Sequence, residues 1–387
     1  MNLVTPAPED TRFLAGERTS PSSPRGSALM AVAPEKSLDA KLARILADPG
    51  CGDFILADAK DADMAFGLAA PGLAPGGVAG QGPYRSIHEF RQSIRELVTE
   101  GLVDIMLMSA STNEVLAIDE GLFDASPVTP AVRMNDTTDI WLATGTGGYG
   151  RQPALPFATT TISQARWGTA QPPHEAQAVG PYPGGNLGLF SVTLNDDAAL
   201  DRDMLTAYRE FRLEAEREGF RHFLEVFYPN APGAVPGKAA GARPADVARF
   251  LADHVVRALA GVPRPGRPVF LKIPYLGPAV MEQLAAYDRT LVVGVLGGGA
   301  GTTHDAFALL AEAKQHGARV ALFGRKINAA EHQPTFVRHL RLVADGDLAA
   351  AEGVRAYHAA LGKLGVRPHR GLDDDLARAP VAQAYGG

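Results

Sequence analysis

The sequence predicts an α/β protein, a (β/α)8 TIM barrel with an N-terminal arm and an insertion before strand 4. Short apolar runs alternate with amphipathic helical stretches along most of the 387 residues, an order typical of parallel βαβ units. Eight such runs occur, and neither an internal repeat nor a linker divides the chain. Glycines crowd the turns after the seventh and eighth runs, where barrels commonly hold phosphate. An open doubly wound sheet, the main alternative, usually has fewer strands and a glycine fingerprint near its start.

The first half of the chain supplies four predicted strands, at residues 54–57, 103–108, 128–134 and 187–194. Helical spacing of apolar residues predicts a helix before the first strand, at residues 36–46, and another beginning at Ser86. Residues 67–82 are rich in Gly and Pro and predict a long loop. Residues 141–185, rich in Gly, Pro and Thr, predict the insertion, with a short helix at residues 162–167.

The second half supplies the other four predicted strands, at residues 223–227, 269–275, 291–296 and 319–323. Helices are predicted at residues 200–218, 244–259, 279–287, 305–316, 335–343 and 348–364. The polar tail after Val366 is expected to be extended. The predicted division is therefore an arm at residues 1–35, a barrel at residues 36–366 and a tail at residues 367–387.

Composition excludes several classes of protein. Hydrophobic content of 46% and charged content of 21% are ordinary for a globular enzyme. A net charge of −6 without a basic cluster argues against nucleic-acid binding, and the single Cys51 excludes a disulfide framework. No apolar run reaches about 18 residues, so no membrane association is expected. The arm lacks the apolar segment of a signal peptide, which favours a cytoplasmic location.

Lys272 is the strongest candidate for chemistry. Val269, Phe270, Leu271 and Ile273 flank it, and these residues predict a strand buried on both faces. Burial of an amine favours its neutral form, which is the form that a Schiff-base nucleophile needs. A lysine on an edge strand would instead pack its stem and extend its ammonium group to water. The position in the strand and the neighbouring turns favour the nucleophile.

Two glycine-rich turns predict an anion site facing that amine. Gly297, Gly298 and Gly299 follow the seventh run, and Gly324 and Arg325 follow the eighth. Glycines let backbone N–H groups approach an anion, and Arg325 can clamp phosphate oxygens. Three glycines alone more often mark a tight turn, but the second turn favours a phosphate site. The run does not satisfy G-x-G-x-x-G, so nicotinamide binding is disfavoured.

Asp58 and Tyr228 end the first and fifth predicted strands, on the side where barrels keep their active sites. Asp58 could orient a substrate hydroxyl or an iminium, and Tyr228 could move a proton. A helix-capping carboxylate and a half-buried core tyrosine are equally good interpretations. Lys60, Asp61 and Asp63 are expected to be solvated loop charges.

No metal and no other cofactor are expected. The ten histidines show neither H-x-H nor H-E-x-x-H spacing, and a single cysteine cannot build a thiolate cluster. The sequence also lacks the G-x-S-x-G elbow of many serine hydrolases.

From about residue 54 to residue 338 the chain resembles the archaeal-type (DhnA-like) class I fructose-bisphosphate aldolase family. The resemblance rests on the first-strand run ending at Asp58, the Tyr228-Pro229 pair, Lys272 within its strand, and the two glycine turns. The family's Asp-His-Gly is Asp58-Ala59-Lys60 here, and Val226 replaces an aromatic residue.

The resemblance implies a metal-independent lyase that cleaves or forms a C–C bond in a phosphorylated ketose or similar keto compound. Lys272 would form the iminium, Tyr228 would transfer protons and Asp58 would hold hydroxyls or assist iminium formation. Gly297, Gly298, Gly299, Gly324 and Arg325 would bind the phosphate, and homo-oligomers are common in the family. Another lysine-dependent lyase or transaldolase, or a catalytically silent sugar-phosphate-binding barrel, remains an alternative.

Overall fold

The computed structural model describes residues 34–48, 50–78, 81–143, 153–171, 181–230, 244–298 and 301–378. Most of the predicted arm, Gly299, parts of the predicted insertion and residues 379–387 lie outside the described residues.

Eight parallel strands form a barrel, which confirms the predicted fold class. The strands are β1 (Ile55–Lys60), β2 (Ile105–Met108), β3 (Thr129–Arg133), β4 (Leu187–Thr193), β5 (Arg221–Phe227), β6 (Leu271–Lys272), β7 (Gly294–Gly297) and β8 (Val320–Phe323). Their order in the sheet is β6-β5-β4-β3-β2-β1-β8-β7. Ile273, directly after β6, pairs with Val295 in β7, and its N–H donates to the carbonyl of Gly294 at 3.0 Å. These bonds close the barrel.

Helices follow most of the strands, as expected for βα units. They are α1 (Ser37–Ala47), α2 (Ala62–Phe66), α3 (Ile87–Thr99), α4 (Ala110–Asn113), α5 (Thr138–Ala143), α6 (Ile162–Trp167), α7 (Ala198–Glu218), α8 (Pro244–Ala260), α9 (Pro278–Tyr287), α10 (Thr303–Gln315), α11 (Arg325–Asn328), α12 (Gln333–Asp345), α13 (Ala350–Lys363) and α14 (Leu372–Leu376). Among the described residues, none of these helices combines the length and the apolar character that crossing a bilayer requires.

The half of the barrel interior nearer to where the strands begin is apolar. Alternate strand residues such as Ile55, Ala57 and Phe270 meet there, since successive strand side chains point to opposite faces. Helix α1 inserts Leu38 and Leu42 into the same cluster, so it covers the end of the barrel where the strands begin. Lys272, Glu225 and Arg133 lie beyond this cluster, toward the carboxyl ends of their strands.

Two segments differ from the expectations. The sequence predicts a loop at residues 67–82, but an antiparallel pair of strands, Leu73–Val78 and Gly82–Tyr84, begins there. The two strands form backbone hydrogen bonds with each other rather than with the barrel. The predicted extended tail contains α14, whose Asp375 is buried. The insertion before β4 carries α5, α6 and a second antiparallel pair, Asn135–Thr137 with Pro156–Ala158.

Candidate active site

Three polar side chains lie side by side inside the barrel, near the carboxyl ends of β4, β5 and β6. Lys272 is the register partner of Glu225, and Glu225 is the register partner of Ser191. Phe270 and Phe223 lie two residues before Lys272 and Glu225, respectively, and face the interior. Since residues two apart in a strand share a face, Lys272 and Glu225, with Ser191 beside them, face the interior as well. All three are buried, with 7% of Lys272 exposed.

Lys272 and Glu225 form an ion pair. Lys272 Nζ lies 2.6 Å from Glu225 Oε1, and the Ser191 hydroxyl donates to Glu225 Oε2 at 2.7 Å. A carboxylate in contact with the amine favours the ammonium form, whereas attack on a carbonyl needs the free amine. A proton must therefore leave Lys272 before it reacts. Glu225 Oε1 is in position to accept that proton.

Arg133, at the end of β3, connects this pair to a second polar group. Its guanidinium donates to Asp61 Oδ2 at 2.9 Å, to Asp136 Oδ1 at 3.2 Å and to the carbonyl of Asn135 at 2.9 Å. Its contact with the Ser191 hydroxyl is long, at 3.5 Å. Although burial disfavours the charge, the carboxylates of Asp61 and Asp136 raise the pKa of Arg133, so it stays protonated. With its donors engaged by the protein, Arg133 positions the other side chains of the site.

Asp61 corrects one expectation from the sequence. It was expected to be a solvated loop charge, but it is 7% exposed and faces Arg133. The strand β1 extends to Lys60, two residues beyond its predicted end at Asp58, and this extension brings Asp61 to the mouth of the barrel. Asp63, also expected to be solvated, accepts a hydrogen bond from the Ser109 hydroxyl at 2.5 Å.

Asp58 lies on the outer face of β1, which points toward the helices and not into the barrel. Leu56, two residues earlier, packs in the cluster between the strands and the helices, and Asp58 shares its direction. Its carboxylate lies 3.2 Å from Lys60 Nζ, and both side chains are fully buried. Lys60 in turn donates to Asn328 on α11 and to Gln333 on α12, at 2.8 Å in the latter case. The prediction that Asp58 contacts the substrate beside Lys272 is not supported by this position.

Burial shifts the ionisation of both members of this outer pair. It raises the pKa of Asp58 to about 6, against the opposing effect of Lys60. It also lowers the pKa of Lys60, against the opposing effect of Asp58. Lys60, expected to be a solvated loop charge, is thus a buried residue that ties β1 to α11 and α12.

Tyr228 follows β5 directly and is half-buried against the cluster of apolar residues outside the barrel. Burial raises the pKa of its hydroxyl. No hydrogen bond joins Tyr228 to Lys272 among the described residues. Its part in proton transfer stays a prediction from the family resemblance.

The glycine turns after β7 and β8 separate into two kinds of position. A Cβ on Gly297 would lie 2.1 Å from the ring of Phe323, and one on Gly324 would lie 2.7 Å from the carbonyl oxygen of Ala59. Packing alone therefore requires these two glycines. A Cβ on Gly298 would meet nothing within 4 Å, so Gly298 leaves open space that a ligand can approach. Arg325 begins α11, and Gly299 lies outside the described residues.

Sequence reasoning missed Glu225 as a site residue. The signal was present, because Glu225 interrupts the apolar run Phe223 to Phe227 just as Lys272 interrupts its own strand. Pairing the two required the strand register, which the sequence does not state. Within the described residues no group of three or more His, Cys, Asp or Glu side chains is arranged to hold a metal ion.

Comparison with solved structures finds class I aldolases. An archaeal fructose 1,6-bisphosphate aldolase is 16% identical, with a TM-score of 0.51 over 80% of this chain and 99% of that chain. A second archaeal structure, with the catalytic Lys covalently bound to the carbinolamine intermediate of the substrate, is 16% identical, with a TM-score of 0.52 over 80% and 100%. The fructose-bisphosphate aldolase from Slackia heliotrinireducens is 14% identical, with a TM-score of 0.55 over 83% and 89%.

This chain has the fold of these aldolases. The finding confirms, at the level of the fold, the resemblance that the sequence motifs indicated. No protein-family model and no curated protein matches the chain.

Proposed function

We propose that this chain is a class I, metal-independent aldolase that cleaves or forms a C–C bond in a phosphorylated ketose or similar keto compound. The observation that carries the proposal is the lysine inside the barrel, in contact with a carboxylate that can take its proton. The aldolase fold of the chain supports the same reaction class.

Lys272 is the nucleophile in this proposal. Transfer of one ammonium proton to Glu225 leaves a free amine, which adds to the substrate carbonyl and gives a carbinolamine. Glu225 then returns the proton to the departing hydroxyl, water leaves, and the iminium remains. The iminium accepts the electron pair of the breaking C–C bond, and the carbon on the other side of that bond leaves as an aldehyde as its hydroxyl proton is removed. Protonation of the resulting enamine carbon balances that proton loss, and hydrolysis of the iminium so formed regenerates Lys272. Tyr228 is the candidate for protonating the enamine carbon, as the family resemblance implies.

The phosphate is assigned to the turns after β7 and β8. Gly298 offers the open backbone position, and Gly297 and Gly324 keep the two turns close to their neighbours. Arg325 adds a cation at the same end of the barrel. Gly299, the remaining residue of the predicted phosphate site, completes the first turn in sequence.

The polar groups around Lys272 suit hydroxyl groups on the rest of the substrate. Asp61 and Asp136 present carboxylates, and Ser191 presents a hydroxyl, with Arg133 as their common partner. Carboxylates accept hydrogen bonds from sugar hydroxyls and disfavour a second phosphate nearby. We therefore assign the phosphate to the glycine turns and the hydroxylated carbons to this region.

The proposal is tested by trapping the iminium with borohydride. Dihydroxyacetone phosphate and fructose 1,6-bisphosphate are the first probes, and mass spectrometry should find a stable adduct on the peptide containing Lys272. The variant Lys272→Arg keeps a cation beside Glu225, so the fold should persist, but a guanidinium stays protonated and cannot attack. Adduct and turnover should both disappear, whereas Lys363→Arg, at an exposed position on α13, should retain both.

Three outcomes would contradict the proposal. Substantial turnover in Lys272→Arg would exclude a lysine nucleophile at this position. An adduct on Lys60 or Lys326 would move the chemistry to another site. A chain that binds ketose phosphates but forms no adduct with any of them would be the silent binding barrel.

A further inference from the structure

A cavity of about 380 Å³ lies beside the two glycine turns and is separate from the site around Lys272. Helices α11 and α12, the start of α10 and the segment that leads into α14 enclose it. Gly301 and Lys326 link it to the turns after β7 and β8, and Arg370 comes from the C-terminal segment. A volume of this size is within the range of small-molecule sites.

The two carboxylates of the cavity wall are already satisfied by the protein. Glu331 accepts the hydroxyl of Tyr357 and the backbone N–H of His369, both at 2.7 Å. Asp375 accepts the backbone N–H of Thr303 at 2.7 Å and pairs with a histidine of α13 at 2.9 Å. These acids are held in place and have donors on both oxygens.

The cations of the cavity wall are less fully used. Lys326 is 8% exposed, and its ammonium group donates one hydrogen bond, to the carbonyl of Gly301 at 2.9 Å. Its other two hydrogens have no partner among the described residues. The guanidinium of Arg370 forms no hydrogen bond or ion pair with the described part of the chain, and its side chain is exposed. Donors without acceptors therefore border a cavity that can hold a ligand.

We propose that this side cavity binds a small phosphate-bearing molecule, with Lys326 and Arg370 as its donors. A phosphate group offers several strong acceptors and matches an ammonium and a guanidinium together. The binding itself does not rest on the proposed aldolase reaction.

Calorimetric titration of the full chain with glycerol 3-phosphate tests the proposal. This probe has no carbonyl group, so it cannot form an iminium with Lys272, and binding is measured whether or not the chain is an aldolase. Arg370→Ala should weaken binding about tenfold or more, as expected for loss of a charge-assisted hydrogen bond. Lys326→Gln should weaken it as well. Arg367→Ala, an exposed arginine on the same segment that does not line the cavity, should bind like the wild type.

Inorganic phosphate and glycerol identify the part of the ligand that is recognised. Inorganic phosphate and glycerol 3-phosphate should both bind, whereas glycerol should not. Tighter binding of inorganic phosphate indicates free phosphate as the ligand, and tighter binding of glycerol 3-phosphate indicates a phosphate ester. The proposal is wrong if Arg370→Ala and Lys326→Gln bind like the wild type while Arg325→Ala does not, since the phosphate would then occupy only the turn. It is also wrong if neither phosphate probe binds at millimolar concentration.

Discussion

Two buried lysine–carboxylate pairs lie on opposite faces of the barrel wall. Lys272 and Glu225 face the interior, whereas Lys60 and Asp58 face the surrounding helices. The sequence predicts that Lys272 is reactive because a charge interrupts an apolar strand. The same reasoning did not separate Asp58 from Asp61, because the extension of β1 decides which of them faces inward. At the residue scale, the sequence alone does not establish on which face of a strand each side chain lies.

Replacement of Glu225 by Gln tests its assigned role in proton transfer. Gln keeps similar bulk and can still accept a hydrogen bond from Ser191, but it cannot take a proton from Lys272. We expect turnover to fall roughly 10²–10⁴-fold, the usual contribution of a general acid or base, with the fold retained. Steady-state kinetics and circular dichroism measure the two effects. Glu218→Gln, at an exposed carboxylate, is the control, and unchanged turnover in Glu225→Gln would exclude the role.

Asp58 is expected to make stability depend on pH. The unfolded chain releases the Asp58 proton near its ordinary pKa of 3.8, whereas the folded chain holds it to about pH 6. Between these values the folded state binds more protons, so the free energy of unfolding falls as pH rises. The interval of about two pH units corresponds to roughly 3 kcal/mol. Because other carboxylates with shifted pKa values titrate in both proteins, the test is the difference between wild type and Asp58→Asn in urea unfolding at several values between pH 4 and 7. The free energy of unfolding of the wild type should decline relative to that of the variant as pH rises, and parallel curves would contradict the prediction.

At the element scale, the predicted strands and long helices overlap those of the structure, although β6 is much shorter than its predicted run and spans only Leu271–Lys272. Their apolar periodicity records burial, and burial is what makes these elements form. Helix α7, predicted at residues 200–218, spans Ala198–Glu218, and Asp197 caps its first turn. The antiparallel pair at residues 73–84 and the helix α14 were not predictable in this way. Gly, Pro and Ala dominate residues 73–84, and α14 has three Asp residues between two Leu residues, so neither segment has a long apolar period. The contact of Asp375 with Thr303 stabilises α14.

The turn after β8 carries the element-scale prediction. Arg325→Ala should weaken the binding of phosphorylated substrates by about one to two orders of magnitude, because a charge-assisted contact contributes roughly 1.5–3 kcal/mol. Non-phosphorylated analogues should be affected much less. Comparison of kcat/KM for matched substrate pairs measures the difference. Arg355→Ala, at an exposed position on α13, provides the control, and equal weakening of both substrate types would mean that Arg325 is structural.

At the scale of the whole molecule, the alternation of apolar runs and helices was enough to predict a closed barrel. Closure needs eight strands of compatible length and a seventh strand that meets the sixth, and the pairing of Ile273 with Val295 provides that contact. Helix α1 covers the end of the barrel where the strands begin. The attachment of the C-terminal segment could not be foreseen, because a single buried carboxylate leaves no periodic signal.

Truncation at the two ends should therefore affect the melting temperature differently. Deletion of residues 1–33 should leave the melting temperature unchanged, because their mixture of Pro, Ser, Thr and charges cannot form a core. Deletion of residues 371–387 should lower it by at least a few degrees. That deletion removes Asp375, which binds the N–H of Thr303 and the ring of His358, and so uncovers the start of α10. Differential scanning calorimetry compares the two chains, with Asp375→Asn as the single-residue counterpart of the second deletion. A large loss on removing residues 1–33, or none on removing residues 371–387, would reverse the assignment of which end supports the barrel.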